Sequence, residues 1–352
     1  MKKIITTILL VLLCSGCLNP KKNITPSEPV TKEPVIEKNK SLCMLETGIK
    51  SSDALAIKET ANKFAAYLVN QKYEDIQPFL TRQYQKILED KGIKESNLDV
   101  FLPGASQIAK AIGNFSIKYF YKIETNPEST EVQGICMKEP GNTQNIAYNV
   151  INPQPEMAAV FISGVKGSTF ANAILLLVKK ETAWEINYAT VYPGGAGGQT
   201  TAELYQYARK YHQEGRLNVA YLLYKLILDI SPRGTLVPEF IISSQEAVNS
   251  MGVILPDKEL QKYEEWQVAD DLILPVYELK TMPVQDSIVL FAGYITETED
   301  TNFNDVESQL LTKYIKRRYP DLAYYFTLLI TEATFEVPQT EDYLHYSKLQ
   351  KL

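Results

Sequence analysis

Phe115-Ser116-Ile117-Lys118-Tyr119-Phe120-Tyr121-Lys122-Ile123 has a large apolar residue at every second position and Ser or Lys at all the intervening ones but Phe120, the period of a half-buried β-strand. It opens a series. Thr130 to Met137, Asn145 to Val150, Met157 to Val165, Phe170 to Lys179 and Ala183 to Tyr192 are further candidate strands, each bounded by Gly, Pro, Asn or Lys-Lys-Glu turns. Upstream the period is helical: Ile57, Ala61, Phe64, Ala65 and Leu68, then Ile76, Phe79, Leu80, Tyr84, Ile87 and Leu88, predict two helices between Asp53 and Lys91. A shorter helix is expected at Ala105 to Ile112, after Pro103-Gly104. Helices followed by an antiparallel meander define an α+β fold.

The chain has 352 residues, which at about 150 residues per domain predicts about two domains. Its 36 Lys plus Arg against 42 Asp plus Glu leave a net charge of −6, so no electrostatic drive toward nucleic acid exists. Only two histidines occur, His212 and His345, which excludes a His-rich zinc site or a His-based acid–base chain. The excess residue is tyrosine, 22 against 12 Phe and 2 Trp. Tyrosine combines a large ring with a hydrogen-bonding tip, so the excess points to contact surfaces.

At the N-terminus, Lys2 and Lys3 precede an apolar run from Ile4 to Leu13, too short for the roughly 20 residues of a spanning helix. The run ends in Cys14-Ser15-Gly16-Cys17, small residues before a cysteine. This resembles a bacterial lipobox, with Cys14 where Leu is usual three residues before the acceptor. The resemblance implies removal of residues 1–16 and a diacylglyceryl thioether plus an N-acyl chain such as palmitate on Cys17. It also makes the lipid bilayer one partner, and Leu18 in the next position implies the outer membrane where the source has one. The alternative is plain secretion with a free Cys17 thiol. Residues 17–41, with Pro20, Pro26, Pro29 and Pro34 and no aromatic residue, read as a disordered tether spanning roughly 25 to 30 Å. With Cys14 discarded and Cys17 acylated, Cys43 and Cys136 are left either as a disulfide or as two separate buried thiols.

The run Phe64-Ala65-Ala66-Tyr67-Leu68-Val69-Asn70-Gln71-Lys72-Tyr73-Glu74-Asp75-Ile76, with the later Ala173-Ile174-Leu175-Leu176-Leu177-Val178-Lys179-Lys180 and Trp184-Glu185-Ile186-Asn187, resembles the nuclear transport factor two-like, or cystatin-like cone, superfamily. The resemblance covers about residues 53–193. It implies a curved sheet wrapped around the first long helix, with Phe64, Tyr67, Tyr119, Tyr121 and Trp184 as candidate lining of the cone cavity. Isomerase chemistry of the kind found in that superfamily needs a carboxylate base beside a neutral donor. Tyr67, Tyr119 and Tyr121 supply donors, but no matching Asp can be placed and the stretch holds no His.

Pro193-Gly194-Gly195-Ala196-Gly197-Gly198-Gln199-Thr200 lies between a strand and a helix, yet lacks the Lys-Ser/Thr of a phosphate loop and the third Gly of a dinucleotide fingerprint. It reads as a hinge, closed by a capping box of Thr200 and Glu203. Leu204, Tyr207, Ala208, Tyr211, Gly215, Ala220, Tyr224 and Pro232 then resemble a single tetratricopeptide repeat. One copy is too few for an independent stack, so a packed helical hairpin is expected, extended by a helix from Pro238 to Met251. Residues 255–352 read strand, strand, helix, strand, with the helix capped by Asn304 and Glu307. The acidic run Glu297 to Asn304 fails as an EF-hand loop, because Asp305 and Leu311 occupy the positions of the turn Gly and the closing Glu.

The expected organisation is therefore a signal peptide at 1–16, a lipidated tether at 17–41, a cone-like α+β domain at 42–193, a Gly-rich hinge at 194–200, a helical segment at 201–254 and a small C-terminal α+β unit at 255–352. No cofactor and no catalytic residue is called for. The expected function is a membrane-anchored, non-catalytic binding or scaffold module in contact with another envelope protein and not with nucleic acid. The alternative is a carrier or enzyme for a small apolar ligand in the cone.

Overall fold

A computed structural model describes residues 37–90, 105–340 and 343–352. The signal peptide, Cys17 and nearly all of the tether fall outside the described residues. The fold is mixed α+β with several antiparallel sheets.

The first half runs β1 (Ser41–Leu45), α1 (Ser51–Asn70), α2 (Tyr73–Ile76), α3 (Arg82–Asp90), α4 (Ala105–Ile112), β2 (Phe115–Thr125), β3 (Glu131–Cys136), β4 (Ile146–Ile151), β5 (Glu156–Lys166), β6 (Thr169–Lys180) and β7 (Ala183–Pro193). Helix α1 forms because Ile57, Ala61, Phe64, Ala65 and Leu68 make one apolar stripe. It stops where Gln71 turns left-handed at φ 56° and its N–H caps the Tyr67 carbonyl.

Strands β1, β2, β5, β6 and β7, in that order, build a fully antiparallel sheet. Its interior strand β6 is apolar almost without interruption, because both faces are covered. Ala171, Ala173, Leu175 and Leu177 pack under α1 and α4 with Ile57, Leu68 and Ala109. Ile174, Leu176 and Val178 pack instead on Val132, Ile146, Val150 and Leu236 of a second sheet. That second sheet is ordered β10-β4-β3, all antiparallel, where β10 is Leu236–Pro238. Cys43 of β1 and Cys136 of β3 are joined as a disulfide, with Cα atoms 5.4 Å apart, so the two sheets are also linked covalently.

The segment expected to act as a hinge is a tight hairpin of β8 (Gly195–Ala196) and β9 (Gln199–Thr200). Gly197 and Gly198 take φ 56° and 74°, the conformation that a two-residue hairpin turn of this hand requires. It is not free chain: a Cβ on Gly197 would sit 2.6 Å from Ile288 Cγ1 and 2.8 Å from Ile288 N. Thr200 and Glu203 form the capping box and open α5 (Thr201–Gln213).

The second half continues with α6 (Leu217–Ile230), β10, α7 (Glu239–Met251), β11 (Glu264–Ala269), β12 (Leu272–Val284), β13 (Ser287–Ile295), α8 (Thr301–Arg318), α9 (Pro320–Tyr325), β14 (Leu328–Thr334) and β15 (His345–Lys351). Strands β11 to β15 form one sheet in sequence order, antiparallel except for β13 and β14, which run parallel across the α8–α9 connection. Helices α5 to α7 share a single core with this sheet: Leu204, Ala208, Leu223, Ile227 and Phe240 pack in one cluster with Trp266, Leu290, Leu311, Ile315 and Phe326.

Three expectations need correction. The C-terminal part holds five strands, β11 and β15 being additional. Helix α8 begins at Thr301 with the Asp300 carboxylate accepting from Asn302 N, not at Asn304, which is buried inside the helix. The boundary expected near 193 is crossed by β10, which pairs with β4, and residues 36–352 form one compact unit.

Candidate functional site

The five residues expected to line one cavity lie on opposite faces of the first sheet. Phe64, Tyr67 and Trp184 belong to the helix-side core, whereas Tyr119 and Tyr121 belong to the layer between the two sheets. The cause is local. Phe115 and Ile117 face the helices, but the β2–β5 register shifts between Ile117 and Tyr119, and such a bulge reverses the parity of every following side chain. Phe120 therefore takes the helix side, and Tyr119 stacks on Phe161 at 4.9 Å on the other.

On the helix side, Phe64 and Tyr67 ring centroids are 6.0 Å apart. Tyr67 and Trp184 are each about 2% exposed, and neither the Tyr67 hydroxyl nor Trp184 Nε1 finds a partner among the described residues. Burial, with the nearby Tyr73 hydroxyl, pushes the Tyr67 phenol up to about 12, so it stays neutral at any physiological pH. Tyr84 is raised further, again chiefly by burial. Donors are thus present. Among the described residues the buried carboxylates are Asp257, Glu278, Glu307 and Glu332, all in the second half, so none of them stands beside these phenols as a base.

Charge is concentrated at the N-terminal end of α1. Lys122, only 7% exposed, pairs with Asp53 and Glu124 at 3.0 Å each and with Glu156, while Lys179 pairs with Asp53 at 3.0 Å and Glu156 at 3.1 Å. Burial works against the Asp53 charge, but the Lys179 and Lys122 ammonium groups outweigh it and hold its carboxyl below the ordinary value. Glu156 is lowered in the same way. For Lys122 burial is likewise outweighed, by Glu156, Glu124 and Asp53, and the ammonium is stabilised. Each of the three carboxylates here pairs with at least one of the two lysines, which fits a clamp between α1 and strands β2, β5 and β6 better than a reactive group.

Of the repeat-like residues, Leu204, Ala208, Tyr211, Ala220, Tyr224 and Pro232 are buried, and Gly215 takes φ 74° in the turn between α5 and α6. Tyr211 meets Tyr325 edge-on at 5.3 Å, and Phe240 of α7 packs on Tyr205 at 5.5 Å. Tyr207 is exposed, as is Gly215 in the turn. Helices α7 and α9 thus pack against this hairpin. His212 lies edge-on to Tyr224 at 6.2 Å.

The outer face of the second sheet was not singled out by sequence, and it carries exposed apolar residues. Ile135 and Ile151 are 41% and 73% exposed, with Met137 and Ile242 beside them also exposed. Ile135 and Ile242 line a shallow groove of about 330 Å³, whose wall also includes Gln133, Ala147 and Val237. The sequence signal was present: β3 carries apolar residues on both parities, Val132 and Cys136 inward, Ile135 outward.

Comparison of the chain with protein-family models, with curated proteins and with solved structures finds no match. No helix among the described residues is long and apolar enough to cross a membrane.

Proposed function

We propose that this protein is an envelope lipoprotein, cleaved before Cys17 and anchored there by acyl chains, whose folded part is a non-catalytic binding or scaffold module for another envelope protein. The outer membrane is its site where the source has one. The observation that carries the binding role is the groove on the second sheet lined by the exposed Ile135 and Ile242, with Ile151 exposed farther along the same sheet. Clustered exposed apolar side chains around a concavity are costly in water and mark interaction surfaces. The nuclear transport factor two-like reading of residues 42–193 is supported by a long helix packed across one face of a five-stranded antiparallel sheet. The second sheet on the opposite face is an addition that this resemblance does not imply. For residues 201–254, two helices joined by a short turn at Gly215 support the tetratricopeptide-like reading.

The test is in-cell crosslinking of the wild type and of an Ile135→Asp/Ile151→Asp double variant. Loss of a defined crosslinked species in the variant, with an unchanged melting temperature, is the expected result. Recovery of the wild type alone, or an unchanged crosslinked species in the variant, refutes the binding role. Anchoring is tested separately: Cys17→Ala moves the protein to the soluble fraction, and retention on the membrane refutes it.

A second reading, a carrier of a small apolar ligand, is favoured by the unpartnered polar tips of Tyr67 and Trp184 inside the helix-side core. Native mass spectrometry of the purified chain distinguishes it, since a carrier retains a stoichiometric adduct that a Tyr67→Phe/Trp184→Phe variant loses.

A further inference from the structure

The acidic run rejected as a calcium loop forms one wall of a cleft of about 610 Å³ between the β11–β12 turn, the exit of β13 and the start of α8. Four carboxylates line it, Asp271, Glu297, Asp300 and Glu307, together with apolar Ile295 and Phe303. No Lys, Arg or His is among the described residues of its lining. Phe303 is 47% exposed, a large apolar ring left at the rim.

Acidity alone does not make a site, and the loop satisfies most of its own polar groups. Asp300 accepts from Asn302 N at 2.9 Å, Asn304 Oδ1 accepts from the Thr296 hydroxyl at 3.1 Å, and Asn304 Nδ2 donates to the Thr298 carbonyl at 3.3 Å. Glu307 is different. It is only 3% exposed, it lines the cleft, and its Oε2 finds no hydrogen-bond partner among the described residues. A buried carboxylate oxygen without a donor is desolvated and uncompensated, a cost that a ligand carrying N–H donors removes. Glu307 also sits beyond the first turn of α8, where the positive end of the helix dipole no longer weighs against a bound cation.

The size and spread of the groups select the kind of cation. Among the described residues no three His, Cys, Asp or Glu side chains converge as a metal-ion cluster. The carboxylates are distributed around a volume within the usual range of small-molecule sites, interleaved with apolar surface. We infer that this cleft binds an organic cation, a primary ammonium or guanidinium on an apolar body, with the charged end on Glu307 and the body against Ile295 and Phe303. The cation is either a free amine or the side chain of a Lys or Arg on a peptide. Burial raises the Glu307 carboxyl above its ordinary value against the pull of the Thr296 and Tyr294 hydroxyls, and a bound cation lowers it again.

The test is calorimetric titration of the full-length chain in detergent with phenethylamine, with its neutral counterpart 2-phenylethanol, and with acetyl-Leu-Lys-Leu-amide. Phenethylamine binds saturably and 2-phenylethanol at least about tenfold more weakly, the factor that one charge-assisted hydrogen bond supplies. Glu307→Gln, nearly isosteric, weakens phenethylamine by about tenfold or more, and Asp271→Asn weakens it by about twofold to threefold. If Glu307→Gln does not fold, the amine-to-alcohol ratio in the wild type and its reduction in Asp271→Asn decide the matter. Tighter binding of the tripeptide than of the amine identifies a partner's lysine as the source, and weaker binding a free amine. The inference fails if amine and alcohol bind equally, if neither binds, if folded Glu307→Gln binds like the wild type, or if calcium displaces the amine one for one.

Discussion

Reducing the Cys43–Cys136 bridge should lower stability by an amount set mainly by the length of chain it closes. The bridge spans 93 residues, and the chain-entropy relation gives about 4.6 kcal/mol at 25 °C for a loop of that size. With an unfolding entropy of roughly 2.1 cal/mol/K per residue, about 310 folded residues convert this into a fall in melting temperature of about 7 °C. Reduced wild type is the right comparison, because Cys136 is fully buried and a Cys→Ala variant would add a cavity cost. The assay is a urea and thermal melt with and without a reductant, with alkylation and mass spectrometry confirming the redox state. Reduction should also raise the urea m-value, since the unfolded chain without its cross-link exposes more surface. A midpoint change below about 1 °C with both thiols shown to be free would refute the entropic argument. Alkylation of both thiols in denatured, unreduced protein would remove the bridge itself.

Two further perturbations test the packing and the charge clamp. Gly197→Ala places a Cβ against the Ile288 backbone and should cost about 3 kcal/mol, whereas Gly198→Ala, whose nearest neighbour is 3.9 Å away, should cost only the left-handed backbone penalty of about 1–2 kcal/mol; equal costs in denaturant melts would contradict the docked hairpin. Lys122→Met should destabilise by about 2 kcal/mol at neutral pH, because Asp53, Glu124 and Glu156 lose their shared buried cation. The folded-state pKa values of Asp53 and Glu156 are depressed, so their contribution is complete above the unfolded carboxylate range near pH 4 and is lost as pH falls through the folded values. The gap between Lys122→Met and wild type should therefore narrow below about pH 4 in melts taken across pH, and a constant gap would show that the clamp is not ionic.

Most strands of the first half were legible because alternation and bounding turns report local geometry. Phe170 to Lys179 was also legible as a strand, though its unbroken apolar run reflects a property of the whole fold, two covered faces. What could not be read was parity. A single bulge between Ile117 and Tyr119 sends Tyr119 and Tyr121 away from Phe64 and Trp184, and no residue in Ile117-Lys118-Tyr119 announces it. Strand β15, His-Tyr-Ser-Lys-Leu-Gln-Lys, was missed because it is an edge strand with no buried residue, in which only Tyr346 and Leu349 are apolar. The Asn304–Glu307 pair looked like a cap, but Asp300 lay one turn earlier and had a free backbone N–H to accept from, which left Glu307 for the cleft. The outer face of β3 and β4 shows the same limit, since an exposed isoleucine and a buried one are identical letters until the layer covering them is known.

Strand β10 imposes an order of assembly on a chain that emerges N-terminus first. Once residue 193 is available, the five-stranded sheet has all its strands and Cys43 can meet Cys136, so the cross-linked core can form early. The edge of β4 stays open until Leu236–Pro238 arrives, after two helices that pack on a different core. Thr235 then supplies the acceptor for Asn149 N, and Glu239 N, one residue past the strand, donates to the Asn145 carbonyl. During that interval an unpaired strand beside exposed isoleucines is available to any other extended chain. A nascent chain arrested before residue 236 would thus be the aggregation-prone species, and the late helices act as the delivery arm that closes it.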